Sequence, residues 1–169
     1  MKKYILILFL PIIILFCGCS NTLSAKNSYL RIHIRANSNS EVDQNIKYKV
    51  RDLVVTYVTP KVSDCKSKQE VIDLLNNENY KMTLIIDEFL RDNGFDYGCN
   101  IAINNEFFPT RSYDDLTLEA DYYDALIINL GSGSGNNWWC VVYPPLCFKG
   151  EGKIVYKSKI KEIIEKIWG

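Results

Sequence analysis

The chain has little of what most cofactor and catalytic sites are built from. Its 169 residues include one histidine, His33, so a zinc site would need cysteine or carboxylate ligands. Cys140 and Cys147 enclose residues 141–146, a spacing that does not fit the close pairs of zinc knuckles. Metal and cofactor are therefore not expected. Lys plus Arg and Asp plus Glu both number 20, which leaves no charge excess to draw nucleic acid. No apolar run reaches the ~20 residues a spanning helix needs, and no internal repeat is visible. Glycines cluster in Gly131-Ser-Gly-Ser-Gly135, yet no lysine follows them as a phosphate loop requires. A dinucleotide site would need a helix directly after them, and the next residues, Trp138-Trp-Cys-Val-Val-Tyr143, read as a strand. The run is expected to be a hairpin turn between two strands.

What is present begins with Lys2 and Lys3, an apolar run over residues 4–16 broken once by Pro11, and then Cys17, Gly18 and Cys19. A charged, then apolar, then small-residue order is the layout of a secretory signal. Gly18-Cys19 also has the form of a lipoprotein junction, with Cys19 the lipidation candidate, although Phe16 and Cys17 stand where Leu and a small residue are usual. Cleavage, lipidation and retention as an anchor are the outcomes this layout allows. Residues 1–19 are read as the signal, 20–28 as a polar tether and 29–169 as one exported domain. Export opens disulfide chemistry to Cys65, Cys99, Cys140 and Cys147, among which three pairings are possible.

The domain starts with a strict alternation. Leu30, Ile32, Ile34 and Ala36 face one way, and Arg31, His33 and Arg35 the other, as in a half-buried strand. Ser38 and Glu41 have capping-box spacing ahead of an apolar helical pattern that Pro60 is expected to end. Ser67 and Glu70 repeat the capping signal. The pattern that follows is interrupted at Asn76-Asn-Glu-Asn79 and stops near Gly94, so it reads as two helices or as one with a weak middle. After Gly94 the period falls to two. Strands are expected near residues 99–103, in short pieces across 107–118, at 122–130 and at 138–143, where Pro144 ends the last. A final amphipathic helix is expected over residues 154–168. The order defines an α+β fold: two layers, a mainly antiparallel sheet with helices packed on one face.

Candidate chemistry is sparse. His33 reads as a solvated strand residue, with a general base as the functional alternative. Asp114-Asp115, and Asp121 with Asp124, read as surface carboxylates. A Cys140 nucleophile lacks a base nearby in sequence. A Cys140–Cys147 bridge requires the chain to fold back, against the extended preference of Tyr143 before proline, and buried free thiols are the other reading. Closing so short a loop would contribute roughly 2–2.5 kcal/mol in the entropic picture. Trp138 and Trp139 are neighbours on a strand and must point to opposite faces. One belongs to the core; the other is exposed as a partner anchor or packed under the 107–120 loop.

Three groups of residues carry a resemblance: Ile34-Arg-Ala-Asn-Ser-Asn-Ser40 with Asp43-Gln44 and Lys49-Val-Arg-Asp52; Phe108-Pro-Thr110, Tyr113 and Leu116-Thr-Leu118; and Asn137-Trp-Trp-Cys-Val-Val-Tyr-Pro-Pro-Leu-Cys-Phe148. Over roughly residues 29–148 the chain resembles the stage II sporulation protein R family of endospore-forming bacteria. Asn39 and Tyr143 depart from the residues common there, Asp and Phe. The resemblance implies a non-enzymatic signal made in the forespore and exported to the space between forespore and mother cell. There it triggers a membrane-embedded peptidase in the mother-cell membrane that processes pro-sigma-E. The family supplies no mapped contacts, so the partner-binding candidates are physical: Asn37 and Ser38, Asn137, Trp138 and Trp139, and Pro144 with Pro145. A cell-wall or peptide hydrolase and a lipid-anchored binding module are the competing readings.

Overall fold

The computed structural model describes residues 28–113, 116–145 and 166–167. The signal, the tether up to residue 27, Asp114, Asp115, Cys19 and Cys147 lie outside them. So does the expected C-terminal helix, apart from residues 166 and 167, which are helical.

The alternating segment forms β1 (Leu30–Arg35). Helix α1 (Glu41–Val62) and helix α2 (Lys68–Asp92) follow. Then come β2 (Cys99–Phe108), β3 (Arg111–Tyr113), β4 (Leu116–Leu118), β5 (Asp121–Leu130) and β6 (Asn137–Tyr143). The main sheet runs β2-β5-β1-β6, and β3 pairs with β4 in a small second sheet. The fold is α+β, as expected. The outer pairs β2–β5 and β1–β6 are antiparallel, while the central pair β1–β5 is parallel.

Both sheet faces are occupied, for different reasons. Leu30, Ile32, Ile34, Ile101, Leu126, Ile128, Leu130, Cys140 and Val142 pack against the apolar stripes of α1 and α2. The second face carries its own cluster of Phe108, Leu118, Tyr123, Ala125, Ile127 and Val141, to which β3 and β4 add Tyr113 and Leu116. No helix residue enters that cluster among the described residues, so the helices cover one face and the small hairpin covers part of the other.

The helix ends differ from the sequence expectation. Ser40, not Ser38, caps α1, accepting a hydrogen bond from the Asp43 amide at 3.2 Å. Ser38 is drawn instead to the Asp43 carboxylate. Pro60 does not end α1, which runs on to Val62. In the last turn the proline's missing donor costs a single helical bond, and the chain stops at the next free end. Ser67 caps α2 as its spacing suggests. The polar stretch at residues 76–79 leaves α2 unbroken because it is used: Glu78 accepts from the Tyr57 hydroxyl and pairs with Lys61 at 3.1 Å, and Asn79 Nδ2 donates to the Ile101 carbonyl at 3.2 Å.

The glycine run is not a hairpin between paired neighbours. β1 lies between β5 and β6, so residues 131–136 must cross over the end of β1. Gly131 and Gly133 take positive φ values of 54° and 63°, which glycine adopts without strain.

Candidate functional site

The crossover and the β1–α1 loop clasp each other. Asn37 O accepts from Ser132 Oγ at 2.7 Å and from Ser134 Oγ at 3.0 Å, and Asn37 Oδ1 accepts from the Ser132 amide at 2.9 Å. The Gly135 amide donates to Ala36 O, and the Asn136 amide to Asn39 Oδ1. Lys47, 1% exposed, closes the group by donating to Asn136 O at 2.9 Å. Beneath the clasp, the Asp43 carboxylate takes hydrogen bonds from Asn37, Ser38 and Tyr97. Burial opposes ionisation of that carboxyl, but these donors outweigh it and hold Asp43 below the usual carboxylate range. Asn37 and Ser38 are therefore half-buried structural members of the clasp. Their free hydrogen-bonding capacity is largely spent inside the domain.

The second sheet face is read row by row across the strands. Asn100, Asn129, Arg35 and Asn137 form one row, and Ala102, Ile127, His33 and Trp139 the next. Asn104, Ala125, Arg31 and Val141 form the third. Over the first rows lies an open groove of about 420 Å³, floored by Ala102 and Ile127 and walled by Arg35, Glu106 and asparagines. In the third row Ala125, Arg31 and Val141 are buried beneath Tyr113 of β3 and Leu116 of β4, while Asn104 stays exposed at the groove.

Arg31 and His33 correct the half-buried reading of β1. Arg31 is 0% and His33 3% exposed. The Arg31 guanidinium sits 4.2 Å from the Phe108 ring centroid, 4.9 Å from Tyr123 and 5.7 Å from Tyr113, and donates to the Tyr113 hydroxyl at 2.6 Å. Its Nε and Nη1 have no hydrogen-bond partner. Ring faces, rather than a carboxylate, surround this cation among the described residues. His33 Nδ1 lies 2.8 Å from Glu106 Oε2, and Glu106 also pairs with Arg35. Burial, with Arg35 and Arg31 on either side, pushes the imidazole down to about 4, against the pull of the Asn137 amide. The ring is thus neutral at pH 7, and hydrogen-bond logic puts its proton on Nδ1, facing Glu106.

The two tryptophans part as strand geometry requires. Trp138 packs on the helix side, with the Arg51 guanidinium 5.7 Å from its ring. Trp139 packs on the second face, 5.4 Å from His33 and with Arg111 of β3 stacked at 4.5 Å. Both are half-buried, Asn137 and Pro144 are exposed and Pro145 is half-buried, so the strand end and its flank reach the surface. β6 ends at Tyr143, and the Tyr143–Pro144 peptide is cis. Cys140 is disulfide-bonded rather than free; Cys147 lies outside the described residues. Cys65 and Cys99 are free thiols, both pushed up first by burial and then by nearby carboxylates, which makes them poor nucleophiles. Asp124 pairs with Lys68 at 2.8 Å and accepts a hydrogen bond from Asn105 Nδ2 at 3.0 Å. No group of three or more metal-capable side chains occurs among the described residues. No helix there is long and apolar enough to cross a membrane.

Sequence reasoning missed the clasp, the aromatic box of Arg31 and the Glu106 contact. The signals were there in part. Serines alternating with glycines can donate to a neighbouring loop, and an arginine flanked by inward aliphatic residues needs a reason to be exposed.

These features define a class: an α+β domain with a buried arginine in an aromatic box and a clasped crossover at the sheet end. Comparison with known sequences gives the family. The chain belongs to the stage II sporulation protein R family, whose profile matches residues 26–153. It is 34% identical over 139 residues to Stage II sporulation protein R of Bacillus subtilis (strain 168). That alignment covers 81% of this chain and 62% of the relative, so the chain spans less than two thirds of that protein's length. No solved structure matches. Of the motifs that carried the resemblance, Ile34 and Arg35 end β1, residues 36–40 with Asp43 and Gln44 form one side of the clasp, and residues 137–143 are β6.

Proposed function

We propose that this chain is an exported sporulation signal that activates a membrane-embedded peptidase in the opposing mother-cell membrane, leading to pro-sigma-E processing. Membership of the sporulation family is the observation that carries the reading. The site is consistent with a ligand rather than an enzyme. His33 is neutral and faces a carboxylate and two rings, and the two free thiols are held in their protonated form.

The contact surface is best sought on β6 and its flank. Asn137 and Pro144 are exposed there, and Trp139 with stacked Arg111 offers a rigid aromatic edge beside them. Asn37 and Ser38 act one step removed, by fixing the crossover that delivers β6. To activate, the domain must bind the active state of the peptidase better than the inactive one. A tenfold shift needs about 1.4 kcal/mol of such preference, within reach of one buried aromatic anchor.

The test is co-expression of the full chain with the candidate peptidase and pro-sigma-E in cells that do not sporulate. Processing that requires this chain supports the reading; processing unchanged by its omission sinks it. Processing that requires this chain but not the peptidase would favour the hydrolase alternative. The mature mass separately tests lipidation at Cys19.

A further inference from the structure

β2 is an edge of the sheet, ten residues long, paired with β5 in unbroken register and free of proline, lysine and bulges. Natural edges are usually blunted by such devices, because an open row of backbone donors and acceptors recruits another strand. Here one half of the edge is closed and the other is not. The Cys99 amide is capped by Asp87 Oδ1 at 2.7 Å and the Ile101 carbonyl by Asn79 Nδ2 at 3.2 Å, both from α2. Backbone groups of alternate residues point to the same side of a strand. Cys99 and Ile101 therefore show that Ile103, Asn105 and Phe107 also aim outward, and among the described residues no cap reaches these three. Alongside stand exposed aromatics: Phe107 is 54% exposed and edge-stacked at 5.6 Å on Tyr122, itself 57% exposed. Tyr80, next to capping Asn79, is 69% exposed.

We propose that this open half of β2 pairs antiparallel with β2 of a second copy of the chain, about a two-fold axis at Asn105. The register follows from which groups are free. With Asn105 facing its own copy, Ile103 faces Phe107 of the other copy, and all three outward residues exchange both bonds, about six in total. The next pair sets Ile101 against Pro109, and this too is matched: the Ile101 carbonyl is already taken, and proline has no donor to offer it. Sliding the axis to Asn104 sets Phe107 against the capped Ile101. Sliding it to Glu106 sets Ile103 against Pro109 and leaves its carbonyl without a donor. On the helix face, Ile103 meets Phe107 in both halves, with Tyr122 flanking. A patch that is complementary to itself under this operation is the hallmark of an isologous contact. The seam is short, so a weak dimer in the micromolar range is expected. The inference concerns the chain alone and stands whether or not the activator reading does.

The test uses single cysteines in the full chain, purified in mild detergent and treated with a mild oxidant. Across the axis, Asn105 alpha carbons would stand ~5.5 Å apart, as in a hydrogen-bonded antiparallel pair, within reach of a disulfide. Asn105→Cys should give a covalent dimer on a non-reducing gel, with at least tenfold less from Asn100→Cys and from the parent chain. Adding Phe107→Lys to Asn105→Cys should remove the dimer while the circular dichroism spectrum is unchanged. Equal cross-linking at Asn100 and Asn105 overturns the proposal, as does sedimentation of the parent as a monomer at several hundred micromolar. Dimerisation that persists in Phe107→Lys also overturns it. A monomer whose Phe107→Lys form loses pro-sigma-E processing would assign the edge to a foreign strand instead.

Discussion

Acid should weaken this domain through one residue. The ordinary histidine value is 6.5, and His33 in the folded protein is pushed down to about 4. Below pH 6.5 the unfolded chain takes up a proton that the folded chain refuses until about pH 4. The stability is therefore fully present above pH 6.5, falls as pH drops through the window, and is not regained at lower pH. Between pH 7.5 and pH 5 the linkage amounts to about 2 kcal/mol. The Glu106 contact favours the charged ring, which makes this an upper value. The assay is urea unfolding followed by tryptophan fluorescence at both pH values, for the parent and for His33→Gln. Carboxylates titrate in both proteins, so the difference in slope isolates His33. The parent should lose about 1–2 kcal/mol more than the variant over that interval. Equal losses, or a parent that gains stability on acidification, would refute the placement of a neutral ring beside Arg31 and Arg35.

Other consequences follow from single contacts. A β-carbon at Gly135 would sit 2.2 Å from the Ser38 carbonyl oxygen, so Gly135→Ala should open the clasp and cost more than about 2 kcal/mol in denaturant unfolding. Arg31→Met should be tolerated to within about 1 kcal/mol, because it removes a buried cation with two unpartnered nitrogens while keeping contact with the rings. Arg31→Ala should cost about 3 kcal/mol, as the box would be left empty; thermal melts distinguish the two. Non-reducing peptide mapping should join Cys140 to Cys147 and leave Cys65 and Cys99 open to alkylation after unfolding. Trp139→Ala should lower pro-sigma-E processing at least tenfold at a chain level matched to the parent.

The strands and helices were legible wherever apolar residues recur on one face and polar ones on the other, because that alternation writes a period into the sequence. Leu30, Ile32 and Ile34 announced β1, and Ser67 announced α2. Tertiary partners are not written that way. The same alternation suggested water around Arg31 and His33, since nothing local says that Tyr113, some eighty residues later, will cover Arg31, or that Glu106, Phe108 and Trp139 will enclose His33. The glycine run looked like a hairpin because a turn between two strands is the local solution. Only the insertion of β1 between β5 and β6, a pairing across about a hundred residues, makes it a crossover. Pro60 was read as a stop by a rule that holds for helix interiors and relaxes in the last turn. The opposed directions of Trp138 and Trp139 needed no tertiary knowledge, because strand geometry alone dictates them.

The central claim is that the domain switches on a peptidase from outside its membrane. The most direct measurement places that peptidase in vesicles with pro-sigma-E on the cytoplasmic side, and adds the purified chain to the extracytoplasmic side. The account requires the cleavage rate to rise with chain concentration and saturate, with Trp139→Ala shifted to higher concentration. A cleavage rate indifferent to the chain, or cleavage by the chain in vesicles lacking the peptidase, would contradict it.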